Sequence, residues 1–87
     1  MGYLPIIREV ESIGDHRLRL AFDDGVVGEL EFSSESWTGV LEPLRDPLVF
    51  AQVFVDPELG TIVWPNGLDM APEPLYEACA GQPQPAH

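Results

Sequence analysis

The commonest reactive groups in this 87-residue chain are carboxylates, with 15 Asp and Glu residues. A carboxylate becomes a general acid or base when burial or a like charge raises its pKa. Glu42, Asp46, Asp56, Asp69 and Glu73 could each serve, but their spacing selects no pair. The other reactive groups are few. His16 sits in "GDH" and His87 ends the chain, and neither has a His or Cys at ligand spacing. Zinc needs three or four converging ligands, so His16 is expected to be a solvated turn residue. Ser33, Ser34 and Ser36 cluster without a G-x-S-x-G elbow and read as turn and capping residues. "Asp23-Asp24-Gly25" lacks the spaced acids and distal Glu of a calcium loop. Gly25 and Gly28 flank a strand with no helix after them, so they form no phosphate loop. The residues predict no catalytic group, no metal and no cofactor.

One stretch concentrates unusual residues: "IVWPNGLDMAP", residues 62–72. Pro65 fixes its own φ, and Asn66-Gly67 suits the left-handed conformations of a tight turn. Asp69 could bond backbone amides or cap the next element. Trp64 is expected to close the core with its indole N–H at the surface. Two readings are open here. The corner is a structural turn, or Trp64, Asn66 and Asp69, together with Trp37, form a binding surface.

The elements that position these residues follow from periodicity. Residues 4–13 ("LPIIREVESI") are rich in β-branched residues, and residues 14–16 ("GDH") supply a turn. "RLRLAF", residues 17–22, alternates strictly, with Leu18, Leu20 and Phe22 on one face and Arg17 and Arg19 on the other. "DDG" predicts a type I′ hairpin turn. "VVGELEF", residues 26–32, alternates again, with Glu29 and Glu31 on the polar face. Cross-strand Arg–Glu pairs are expected, at roughly 0.2–1 kcal/mol each. Residues 33–44 read as a loop with room for a helical turn. Asp46 and Pro47 suit the cap and first position of a short helix over residues 47–52, burying Leu48 and either Ala51 or Phe50. A second hairpin follows: strand 53–56, turn 57–60, strand 61–64. Residues 72–80 ("PEPLYEACA") predict a short helix, with its prolines in the first turn, Leu75 and Cys79 on one face, and Gly81 as its stop. The expected fold is α+β: a small antiparallel sheet of about five strands (two hairpins) with one or two short helices. Residues 1–80 form one domain, and the proline-rich residues 81–87 a disordered tail.

The length fits one small domain, which buries only about 60 % of its unfolded surface. Few apolar residues remain to line a deep pocket, which counts against an enzyme. The net charge is −11, from 15 acids against four arginines and no lysine. Such a surface repels phosphate backbones and anionic membranes and favours a basic partner. No nucleic acid and no membrane is expected as a direct partner. A lone Cys79 excludes an internal disulfide and a cysteine-rich zinc site. No apolar run reaches the roughly 18 to 20 residues of a membrane span. The start "MGYLPIIREVES" lacks a signal-peptide pattern, and Ile6 stands where myristoylation needs Ser or Thr. The expected compartment is the cytoplasm.

Four motifs carry a family resemblance: "P-I-I-x-x-V" from Pro5, "L-x-L-x-F-x-D-G" over residues 18–25, "PLRDPLVFAQVFVD" over 43–56, and "GTIVWPNGLDMAP" over 60–72. The chain resembles the bacterial domain of unknown function 2442 from Pro5 to about Tyr76. The resemblance implies a small α+β module with an antiparallel sheet, and it brings no catalytic residues. Some members carry an added helix-turn-helix domain, which this chain is too short to hold. Others are encoded beside a second small family, domain of unknown function 4160, in an arrangement similar to toxin–antitoxin pairs.

The reading favoured by charge and resemblance is a non-enzymatic protein-interaction module, an antitoxin-like partner of a basic protein. Its contacts are expected at Trp37, Trp64, Asn66 and Asp69, since aromatic anchors dominate interfaces. The alternative is a small-ligand or enzymatic domain with a cleft near Trp64 and Asp69, holding a carboxylate of raised pKa. Direct DNA binding is opposed by the charge. An exposed strand edge could also pair two copies into a homo-oligomer.

Overall fold

The computed structural model describes residues 4–32 and 39–84. Among these residues, five antiparallel strands and two helices form an α+β fold. The strands divide between two sheets. β1 (Ile7–Gly14), β2 (Arg17–Phe22) and β3 (Val27–Glu31) make one, in that order. β4 (Phe54–Asp56) and β5 (Thr61–Val63) make the other. A 3-10 turn at Gly39–Arg45 and helix α1 (Pro47–Phe50) connect them, and helix α2 (Pro72–Ala80) follows β5. The sheets meet where Ile7 N–H donates to the Gly60 carbonyl at 2.9 Å.

The alternation in β2 places Leu18, Leu20 and Phe22 in the core and Arg17 and Arg19 outside. β3 pairs with β2 without a slip, from Arg17↔Glu31 to Ala21↔Val27. The expected Arg–Glu pairing is present. Arg17 reaches diagonally to Glu29 of β3 at 3.7 Å, whereas Arg19 pairs with Glu11 of β1 at 3.8 Å, outside the expected pair of strands. These partners are all about half-exposed or more, so each pair contributes little. β1 begins at Ile7 rather than at residue 4, and its register shifts near Arg8 and Ile13. Such shifts bend an edge strand.

The β2–β3 connection differs from the expected type I′ turn. That turn needs positive φ at both central residues. Here Asp23 and Asp24 keep negative φ, and only Gly25 is positive, at 94°. The loop has three residues: Gly25 N–H donates to the Phe22 carbonyl at 3.1 Å, and Phe22 N–H to the Val26 carbonyl at 2.8 Å. The Asp24 carboxylate accepts from Val26 N–H at 3.0 Å.

The buried core joins Leu18, Leu20 and Phe22 of β2 to Phe50, Ile62 and Trp64, and to Leu75 and Cys79 of α2. In α1 the buried residue is Phe50; Leu48 and Ala51 are exposed, because four residues make only one turn and turn one side chain inward. α2 lies against β3, and Gly28 makes this possible. A Cβ there would stand 2.7 Å from the Cys79 Cβ and Sγ, and 2.8 Å from its Cα. After α2 the described chain continues to Gln84 and returns to β3 through Gln82 and Gln84. Among the described residues, no helix is long and apolar enough to cross a membrane.

Candidate functional site

The corner at residues 62–72 is a second copy of the β2–β3 loop. Gly67 N–H donates to the Trp64 carbonyl at 2.9 Å, and Trp64 N–H to the Leu68 carbonyl at 2.8 Å. Asn66 Oδ1 accepts from Leu68 N–H at 3.1 Å, as Asp24 does from Val26. Gly67 has φ 90°, beside 94° for Gly25. "WPNGL" and "FDDGV" thus fold alike: an aromatic, two turn residues of which the second is Asn or Asp, a left-handed glycine, and a return. The return continues β5 on its far side. Asp69 bridges Val63, and Met70 N–H donates to the Ile62 carbonyl at 3.3 Å. Thr61, buried, donates its hydroxyl to the Met70 carbonyl.

Trp64 is 2 % exposed, and its indole N–H donates to the Phe50 carbonyl at 2.9 Å. This corrects the expectation of an N–H at the surface. The reason is local: α1 ends at Phe50, and a short helix leaves its last carbonyls without intrahelical partners. The indole takes one of them, and the Phe50 and Trp64 rings pack at 5.7 Å. Asn66 spends its side-chain oxygen on the loop. Asp69 is exposed and does not cap α2, whose N-cap is Ala71. The structure therefore brings Trp64, Asn66 and Asp69 into one hairpin, with Trp64 inside the core rather than along a cleft. Trp37 lies outside the described residues, as do Ser33, Ser34, Ser36 and His87.

His16 is a second correction. It is half-buried, its Nε2 lies 2.7 Å from the Leu44 carbonyl, and its ring packs on Phe50 at 4.9 Å. A carbonyl only accepts, so Nε2 carries the proton. His16 also has φ 56°, a conformation in which His is enriched among non-glycine residues. It joins the β1–β2 turn to the 3-10 segment, and no sequence pattern links residues so far apart.

A surface feature with recognition chemistry lies elsewhere, on the outer face of the three-stranded sheet. An open depression of about 900 Å³ is lined there by Glu9, Glu11, Arg19, Ala21, Val27 and Glu29, among others. Strand register explains the set. Glu9, Ala21 and Val27 form one cross-strand row, and Glu11, Arg19 and Glu29 the next. Three carboxylates thus surround two small apolar side chains, with one arginine between them. The arrangement can hold a cationic side chain by charge and its aliphatic stem by apolar contact. All three carboxylates are solvent-exposed. Among the described residues no three His, Cys, Asp or Glu converge to hold a metal ion.

Three groups, Asp24, Tyr76 and Cys79, are shifted from their ordinary pKa values. The Tyr76 hydroxyl donates to the Asp24 carboxylate at 2.6 Å. This bond lowers the Asp24 pKa, helped by the Val26 amide, and raises that of Tyr76. Burial pushes the Cys79 thiol up, which keeps it protonated and unreactive. Asp24–Tyr76 ties α2 to the β2–β3 loop, a structural role.

Comparison with protein families matches residues 7–81 to the one described as protein of unknown function (DUF2442). Searches among curated proteins and among solved structures return no match.

Proposed function

The chain belongs to the DUF2442 family, and from that premise we propose that it is a non-enzymatic protein-interaction module that binds a basic protein, in the manner of an antitoxin. The observation that carries this reading is the outer sheet face, where Glu9, Glu11 and Glu29 surround Ala21 and Val27 on a chain of net charge −11. Charge of one sign speeds encounter with the opposite sign, and apolar contact at the centre of a charged rim lengthens the complex's life. Asp69 and the other exposed acids add to the long-range field. Trp64 supports the fold of this module rather than its contact surface.

The test is capture from the native host's lysate at low and high salt, with mass spectrometry of the retained proteins. The tagged chain should hold a basic protein at low salt and release it at high salt. The triple variant Glu9→Gln, Glu11→Gln, Glu29→Gln should lose most of that capture while keeping its fold by circular dichroism. Retention that is indifferent both to salt and to the triple variant would overturn the reading. The ligand-cleft alternative gains no support at Trp64 and Asp69, where the residues form a hairpin around a buried indole.

A further inference from the structure

An outer strand exposes main-chain groups that another strand can take. On β3, side chains occupy the Val27 N–H and both main-chain groups of Glu29. Gln84 Oε1 accepts from Val27 N–H at 2.8 Å. Gln82 Oε1 accepts from Glu29 N–H at 2.9 Å, and its Nε2 donates to the Glu29 carbonyl at 2.7 Å. One carboxamide thus meets the donor and the acceptor of one residue, as the main chain of a neighbouring strand would. Gln84 Nε2 is held in turn by the Cys79 and Gln82 carbonyls, each at 2.9 Å. The segment after α2 is a strand surrogate made of side chains, and all three of its bonds to β3 are solvent-exposed.

We infer that Gln82 and Gln84 form a displaceable strap over the β3 edge, and that its occupant on displacement is an extended basic segment of the partner, added as a fourth strand. The inference rests on the proposed basic partner and names how it binds. An incoming strand supplies the same donors and acceptors that the strap gives up, so the hydrogen-bond exchange is nearly even. Charge then decides the occupant. Glu29 and Glu31 are exposed on β3, and Gln82 and Pro83 border the acidic depression beside them. A strand with alternate basic residues would set them against these glutamates. A second copy is disfavoured. Antiparallel pairing of β3 with itself about Glu29 puts that residue opposite its own copy, and like charges so placed repel.

The experiment compares the unmodified protein with Q82A/Q84A, both at low salt, using two blocked heptapeptides. One alternates lysine with threonine. The other is the same peptide with the main-chain nitrogen of each lysine methylated, carrying the same charge without the donors that would face β3. Both substituted positions follow α2, and circular dichroism checks that the fold is retained. In the variant alone, the Val27 and Glu29 amides should exchange faster, with Gly28 and Leu30 unchanged. The lysine–threonine peptide should bind the variant roughly tenfold more tightly than the unmodified protein and restore protection at those two amides. The N-methylated peptide should show no such gain. Equal, salt-sensitive binding of both peptides to both proteins would overturn the strap and leave the acidic-module reading standing. Binding of neither peptide to either protein would overturn both. Dimerisation of the variant with protection at Val27 and Glu29 would overturn the basic occupant in favour of a second copy.

Discussion

Gly28 shows how one residue sets the distance between two elements. The alternation of "VVGELEF" puts position 28 on the inner face with Val26, Leu30 and Phe32, so an apolar side chain would be expected there. The space is taken by Cys79 instead. Gly28→Ala should destabilise the protein by about 1–3 kcal/mol, the usual cost of overpacking, measured by urea unfolding. Cys79→Ala should rescue little of that loss, because the added Cβ also meets the Cys79 Cα at 2.8 Å. Full rescue would mean that only the sulfur is in the way. This contact was not legible in the sequence, because glycine in a strand signals a bulge as readily as a close approach. Trp64 and Asn66 were legible as turn and core residues. The direction of the indole was not, since it depends on where α1 ends.

At the scale of elements, the two helices start differently. In α1 the Asp46 carboxylate accepts from Leu48 N–H at 2.9 Å. In α2 the cap position holds Ala71, with no side-chain bond. Prolines at positions 72 and 74 remove two of the amides that a cap could satisfy. Asp46→Ala should therefore cost about 1 kcal/mol, whereas Ala71→Ser should gain no more than about 0.5 kcal/mol. Chemical denaturation of both variants checks the contrast. The tether from α2 to the β2–β3 loop is sensitive to pH at both ends. The Asp24 pKa is lowered from its ordinary 3.8, so its stabilisation is present above that value and is lost as pH falls through the folded pKa. The Tyr76 pKa is raised from its ordinary 10.0, so its stabilisation holds below that value and is lost as pH rises through the folded pKa. Tyr76→Phe should lower the urea midpoint near neutral pH and converge with the unmodified protein in strong acid and strong base. No difference at any pH would mean that the ring's packing against Phe22, which phenylalanine keeps at 5.0 Å between centroids, carries the tether.

For the whole molecule, charge and size act together. The radius of gyration is 12.7 Å, and the Debye length falls from about 30 Å at 0.01 M salt to about 3 Å at 1 M. At low salt the excess carboxylates repel one another across the entire fold. Added sodium chloride should raise the thermal midpoint by roughly a few degrees, while weakening any complex with a basic partner. Opposite signs in these two measurements are the signature of a surface whose charge serves binding. A midpoint that falls with salt would show that local ion pairs outweigh the repulsion.

The sequence by itself determined where along the chain the strands, helices and turns fall, to within a few residues, because these follow from local periodicity and local turn chemistry. Strict alternation marks β2, Asp-Pro marks the start of α1, and glycine after Asn or Asp marks the two matching loops. It also determined the charge, which depends only on composition. The tertiary structure decided what depends on residues distant along the chain. It split five strands between two sheets, turned Trp64 toward Phe50, and seated His16 under Leu44. It also gathered Glu9, Glu11 and Glu29 around one depression and laid Gln82 and Gln84 along β3. Each of these needs a partner tens of residues away, and the spacing of side chains along one strand or helix carries no record of which distant element will pack against it.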